Sequence, residues 1–160
     1  MSDDEHDRDL GYFRSSIEAF AEEAGWSVAF VEERQAAMGF SDQEGVSLTC
    51  MITQYPAVVE FAVALPVSYG PDEEMPLALC QQLLEQNAEL ALGFWALKRQ
   101  GGRAIPVVLC NVPLEGLDSG SFSDVVHMLL GTAGKRLHAL RDEQLITGSD
   151  ALVLHKPGSV

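Results

Sequence analysis

Residues 76–113 constrain this chain most, because their apolar pattern changes period part-way along. From Pro76 the period is helical. Leu79, Leu83, Asn87 and Leu90 share one face, and Cys80, Leu84, Ala88 and Ala91 lie about 100° around it, which makes a wide apolar stripe. Pro76 suits the first helical position, where its missing N–H costs nothing. At Gly93 the period falls to two. Residues 94–97 and 105–109 read as strands joined by Arg99-Gln100-Gly101-Gly102-Arg103, a glycine-containing hairpin loop. Pro106 cannot donate to a ladder, so its strand belongs at a sheet edge or at an interrupted ladder.

The flanking segments extend this unit into one domain. Residues 1–8 are acidic and read as a mobile leader. Asp9 is a candidate N-cap for a helix over 10–24, whose Leu10, Phe13, Ile17 and Phe20 step by three and four, with Gly25 ending it. Residues 26–31 and 46–52 are β-type, and 36–40 either prolong the first of these or form a separate short strand. The second alternates cleanly: Val46, Leu48, Cys50 and Ile52 point one way. Residues 58–65 form a further strand. A last helix over about 122–141 carries Phe122, Val126, Leu129, Ala133, Leu137 and Leu140 as a stripe, with Ser121-Phe122-Ser123-Asp124 as a capping-box-like start. Residues 145–160 read as a C-terminal tail in which 151–154 would make a short strand. The domain therefore spans 9–144. The order α-β-β-β-α-β-β-α with short connections predicts a two-layer α+β domain, helices against an antiparallel sheet. Its expected core includes Phe13, Ile17, Phe20, Leu48, Ile52, Phe61, Val63, Leu83, Val126, Leu129 and Leu137.

A chain of 160 residues with 47% apolar content can bury a continuous core. Its net charge of −14 makes nucleic acid a poor partner, since phosphate contacts need clustered Lys and Arg. No apolar run approaches the roughly 20 residues of a membrane span, and the acidic start is unlike a signal peptide's basic one. Cys50, Cys80 and Cys110 are odd in number and scattered in apolar runs, as free thiols in a reducing compartment would be. These features together predict a cytoplasmic protein without a membrane partner.

Chemistry-bearing residues form no constellation. His6, His127, His138 and His155 lack zinc-type spacing with one another or with the thiols. Ser121 and Ser123 stand where capping is the ordinary use of serine, and a Ser121–His127 pair lacks an orienting third group. Gly101-Gly102 joins strands and precedes no helix, so it is a turn and not a phosphate cradle. Asp72-Glu73-Glu74 lacks calcium-loop spacing. Lys98, Arg99 and Arg103 at the hairpin tip are either solvated or an anion reader. No catalytic residue, metal ligand or cofactor is expected, and the chain is not expected to be an enzyme. Asn87 interrupts the central helix's apolar face, either as a buried amide bonded to neighbouring backbone or as a polar residue setting the register of a dimer.

The helix with Leu83-Leu84-Glu85-Gln86-Asn87, the strand Gly93-Phe94-Trp95-Ala96-Leu97, and the link Val112-Pro113-Leu114-Glu115-Gly116-Leu117 before a last helix resemble the type III secretion chaperone-like superfamily. That group comprises the Tir-chaperone-type secretion chaperones and the related YbjN-like proteins. The likeness is best over residues 79–140 and extends by element order to about residue 10. It implies a homodimer that binds an extended segment of a partner protein. The expected interface residues are Leu84, Asn87, Ala91, Trp95, Ile105 and Val107. The alternative is a YbjN-like regulatory or small-ligand-binding domain that uses a pocket between helix and sheet.

Overall fold

The computed structural model describes residues 3–43 and 45–143, with side chains from residue 12 onward. The C-terminal tail at 145–160, with its expected strand at 151–154, lies outside the described residues. The elements run α1 (Asp3–Glu23), β1 (Val28–Glu32), β2 (Gln35–Ser41), β3 (Ser47–Gln54), β4 (Val58–Ala64), α2 (Leu77–Asn87), β5 (Phe94–Gln100), β6 (Arg103–Pro113), a 3-10 turn (Leu114–Gly116) and α3 (Ser119–Asp142).

The six strands form one antiparallel sheet in the order β1-β2-β3-β4-β6-β5. This is the expected two-layer α+β arrangement with one strand more before α2. Residues 35–41 are a strand of their own because they pair along their length with β3 on one side and with β1 on the other. The hairpin inserts so that β6 lies beside β4 and β5 becomes the edge. Pro106 is therefore on an interior strand, so of the two expected placements it is the interrupted ladder, and not the edge, that the fold shows. Its imino side faces the point where β4 has ended: the last ladder pair is Ala64 with Val107, after which Leu65 N–H still reaches the Pro106 carbonyl at 2.9 Å. The ladder is interrupted there, so no donor is missed.

Local chemistry sets the element ends. Gly25, at φ +73°, closes α1 in the left-handed conformation, with Gly25 N–H on the Glu22 carbonyl and Trp26 N–H on that of Ala21, as in a Schellman end. Asp9 lies inside α1 and is not its cap. Pro76 is the N-cap of α2 and not its first helical residue. The cap of α3 is Asp118, three residues before the expected Ser121. Asp118 Oδ1 accepts from Ser121 N–H at 2.7 Å while Ser121 Oγ accepts from Asp118 N–H at 3.0 Å. The Ser121 N–H, and then its hydroxyl, donating to the carboxylate hold the Asp118 carboxyl below its usual range. At the hairpin tip, positive φ at both Gly101 and Gly102 gives the two-residue turn that matches strand twist.

The main core lies between the sheet and all three helices. Of the residues expected there, all are buried except Phe20, which packs against the cluster while partly exposed. Phe122 of α3 is fully buried, and its ring meets those of Phe20, Trp26 and Phe61.

The other sheet face carries no described helix, yet it is not polar. Phe30, Ala37, Met51, Ala62, Leu109 and Phe94 face one another in a single row across all six strands. Ala62, Leu109, Val107 and Ile105 form a second, smaller buried cluster on this side.

The three cysteines are free thiols in unlike settings. Burial pushes Cys50 up to about 12 and raises Cys110, whereas Cys80 is half-buried on α2. Burial thus keeps Cys50 in the unreactive thiol form. Native-state labelling with a maleimide, read by mass spectrometry of peptides, should therefore modify Cys80 first and Cys50 only on unfolding. Cys50 labelled as fast as Cys80 would contradict this core.

Candidate functional site

α2 lies against the edge strand β5, and the two build the most distinctive surface of the molecule. Leu79 and Leu83 turn inward, which leaves the other half of the wide stripe outside. Leu77 and Leu84 are 71% and 69% exposed, and Leu97 of β5 is 52% exposed. Met75, Cys80, Leu84 and Leu97 line an apolar groove of about 200 Å³ between helix and strand, with Trp95 below.

Asn87 fastens this pair. Trp95 N–H donates to Asn87 Oδ1 at 2.6 Å, and Asn87 Nδ2 donates to the Trp95 carbonyl at 3.1 Å. The amide thus stands in for a neighbouring strand at one residue of the edge, which is the bonded-backbone reading of Asn87. Trp95 is 4% exposed, and its indole N–H donates to Gln86 Oε1 at 2.8 Å. Along an antiparallel strand, alternate residues turn N–H and C=O away from the paired neighbour. Trp95 does so toward Asn87, so Leu97 and Arg99 are in the same phase. No described residue meets their outward groups.

The expected interface residues fall into separate places. Leu84 and Ala91 are exposed on the helix side. Ile105 and Val107 belong to the small cluster on the opposite sheet face, and Trp95 faces the main core. Phe94, next to Trp95, points to the helix-free face and is 44% exposed. The structure thus brings Leu84, Asn87 and Trp95 together, but not with Ile105 and Val107.

Two of the three hairpin cations, Lys98 and Arg103, are held by carboxylates. Lys98 pairs with Glu60 of β4. Arg103 donates to Glu73 Oε2 at 2.8 Å and, through Nε, to Ser68 Oγ at 2.7 Å, clipping the loop before α2. The Gly70 N–H and then Arg103 hold the Glu73 carboxyl below its usual range. Sequence reading placed the acidic run and the hairpin tip separately, and no local pattern pairs residues 30 apart.

His127 Nδ1 stands 3.3 Å from Ser123 Oγ and 3.0 Å from the Ser123 carbonyl, while its ring packs edge-on to Trp26. Ser121 belongs to the α3 cap. Among the described residues no carboxylate is recorded on His127, and no three His, Cys, Asp or Glu side chains converge as a metal site.

Most of the architecture has a solved counterpart. YbjN from E. coli superposes with a TM-score of 0.60 over 81% of this chain and 92% of its own, at 13% identity. This chain has a YbjN-like fold. At that identity the likeness concerns the fold alone. No protein-family profile matches the sequence, and no curated protein matches it. Within this fold, the α2–β5 groove and the helix-free sheet face both present exposed apolar side chains, Leu84 and Leu97 at the first and Phe94 at the second. No described helix is long and apolar enough to cross a membrane.

Proposed function

We propose that this chain is a non-enzymatic protein-binding module that works as a cytoplasmic homodimer. A second copy covers the Leu84 side of α2 and the edge of β5, and the helix-free sheet face takes an extended segment of a partner protein, as type III secretion chaperones do. The observation that carries this reading is the conjunction at β5: unmatched backbone groups at Leu97 and Arg99 beside the exposed Leu77, Leu84 and Leu97. Open strand edges template pairing with another chain, and a two-fold axis lets one self-complementary patch cover its own copy. The row from Phe30 to Phe94 supports the second half, because alternating apolar side chains of an extended segment match a pleated apolar face.

YbjN carries a provisional description as a transcription regulator. With a net charge of −14, any regulatory role of this chain runs through protein contact and not through DNA phosphates.

Sedimentation equilibrium tests the dimer. Wild type is expected to dimerise at micromolar concentration, and Leu84→Asp to stay folded and become monomeric, because a carboxylate would be buried unpaired. A wild type that remains monomeric refutes the homodimer. A folded Leu84→Asp that dimerises as tightly places the interface elsewhere.

A further inference from the structure

The end of α3 and the open edge of β5 flank the same helix, α2. Gln82, midway along α2, donates through Nε2 to Glu143 Oε2 at 2.9 Å and accepts from Arg136 Nη1 at 2.7 Å. Whatever follows Glu143 therefore leaves the fold beside α2. The chain runs on to Val160 and carries the β-type run Ala151-Leu152-Val153-Leu154. From Glu143 to Asp150 an extended chain spans up to about 23 Å, more than the roughly 10–12 Å width of a helix. The run can thus reach the other flank of α2, where Met75, Cys80, Leu84 and Leu97 line the apolar groove. Two features of the strand beside that groove match it. Leu97 and Arg99 turn backbone groups outward to no described partner, whereas Asn87 closes the equivalent position at Trp95. The side chain of Arg99 is exposed and, unlike Lys98 and Arg103, meets no carboxylate among the described residues.

We propose that this chain's own residues 150–153 add an antiparallel strand to β5, with Asp150 opposite Arg99 and Leu152 opposite Leu97. Both pairs use the outward backbone groups of β5, and residues that stand opposite share a face. Leu152 then enters the groove beside Cys80 and Leu84, and Asp150 meets the Arg99 guanidinium. Ala151 and Val153 fall on the helix-free face, where Phe94 is exposed. Past Val153 the added strand is stopped by Asn87. His155 and Lys156 then arrive at the C-terminal end of α2, where Glu85 and Glu89 are exposed. A parallel strand would instead carry Lys156 toward Arg99, like charge against like. The second copy proposed above uses the same edge, so the tail limits dimerisation by competing for it. That competition, though not the docking, rests on the homodimer reading.

Disulfide formation with the native Cys80 reads the docking, in the full chain and below the micromolar range of the proposed dimer. Cys50 and Cys110 are buried and do not compete. Under mild oxidation, Leu152→Cys should close a bond to Cys80 within one chain at least about tenfold faster than Val153→Cys, whose side chain takes the opposite face. Equal rates, or a bond that joins two chains, overturn the docking. Arg99→Glu should slow closure in the Leu152→Cys chain, and adding Asp150→Arg should restore it. Failure to restore it overturns the register. Sedimentation equilibrium reads the competition: Leu152→Asp should dimerise at least about tenfold more tightly than wild type. Equal dimerisation overturns the competition. If both chains stay monomeric, the homodimer reading fails, and the disulfide rates still decide the docking.

Discussion

Replacing Phe122 by alanine is expected to lower the unfolding free energy by about 3–5 kcal/mol, the usual cost of truncating a fully buried aromatic ring. Phe122 has no exposed surface and stands one turn into α3, just after its cap. Its ring centroid lies 5.5 Å from that of Phe20 in α1, 5.7 Å from Phe61 in β4 and 6.0 Å from Trp26 before β1. Three separate segments therefore close on one side chain. Truncation leaves a cavity whose walls belong to different elements and cannot collapse together. Urea unfolding followed by tryptophan fluorescence measures the loss, with Trp26 as a reporter beside the ring. A loss below about 1 kcal/mol would mean that α3 does not seat as described.

Gly93→Ala should be the most damaging of the glycine substitutions. Gly93 has φ +79°, and an added Cβ would stand 2.7 Å from the carbonyl oxygen of Leu109. The left-handed backbone alone costs a non-glycine residue about 1–3 kcal/mol. Here the clash adds to it, because the obstacle is the backbone of β6, held in its ladder by pairing with Phe94 on one side and Ala62 on the other. Gly101 supplies the control: its φ is +56°, but nothing stands within 4 Å of its added Cβ. Gly101→Ala should therefore show the backbone cost only, and Gly93→Ala distinctly more. Equal losses in thermal unfolding would show that the start of β5 moves aside without resistance. Gly93 directly precedes the edge strand that α2 packs against, so the same substitution should disturb the α2–β5 groove.

Much of this architecture is written in local pattern. The helical period of Phe13, Ile17 and Phe20 and that of Phe122, Val126 and Leu129 assign both long helices and their buried sides. Alternation along residues 46–52 does the same for β3. The change of period at Gly93 marks the passage from helix to hairpin because a left-handed residue is needed there, and Gly101-Gly102 sets the turn for the same kind of reason. Element ends were less legible: Asp118, Pro76 and Asp9 each sit a few positions from the role their residue type offered, since several polar residues near one end compete for the same unpaired N–H groups.

The candidate site shows where local pattern stops. Asn87 could be singled out, because an amide on an apolar stripe is costly unless bonded, but its partner lies on the next strand and only the docking of α2 names it. Trp95, Ile105 and Val107 were grouped with Leu84 by sequence neighbourhood. Strand alternation and the placing of α2 put them on different faces. Gln54 carries no local sign of burial, because a glutamine at the end of an alternating strand reads as a solvated terminus, yet the fold leaves it 7% exposed.

The sequence by itself determined the order of the main helices and strands and the buried side of the two long helices and of β3, because those properties depend on periods of 3.6 and 2 within a single segment. It also determined the net charge of −14 and the small number of basic residues. Only the tertiary structure decided that β6 lies between β4 and β5, that Pro106 sits at a ladder's interruption, and that β5 is the open edge. It alone paired Lys98 with Glu60 and Arg103 with Glu73, and buried Gln54 at the end of β3. The physical reason is that these outcomes depend on which edges and faces meet after distant segments close on one another. A free-energy difference among whole arrangements makes that choice, and no single stretch of the chain contains it.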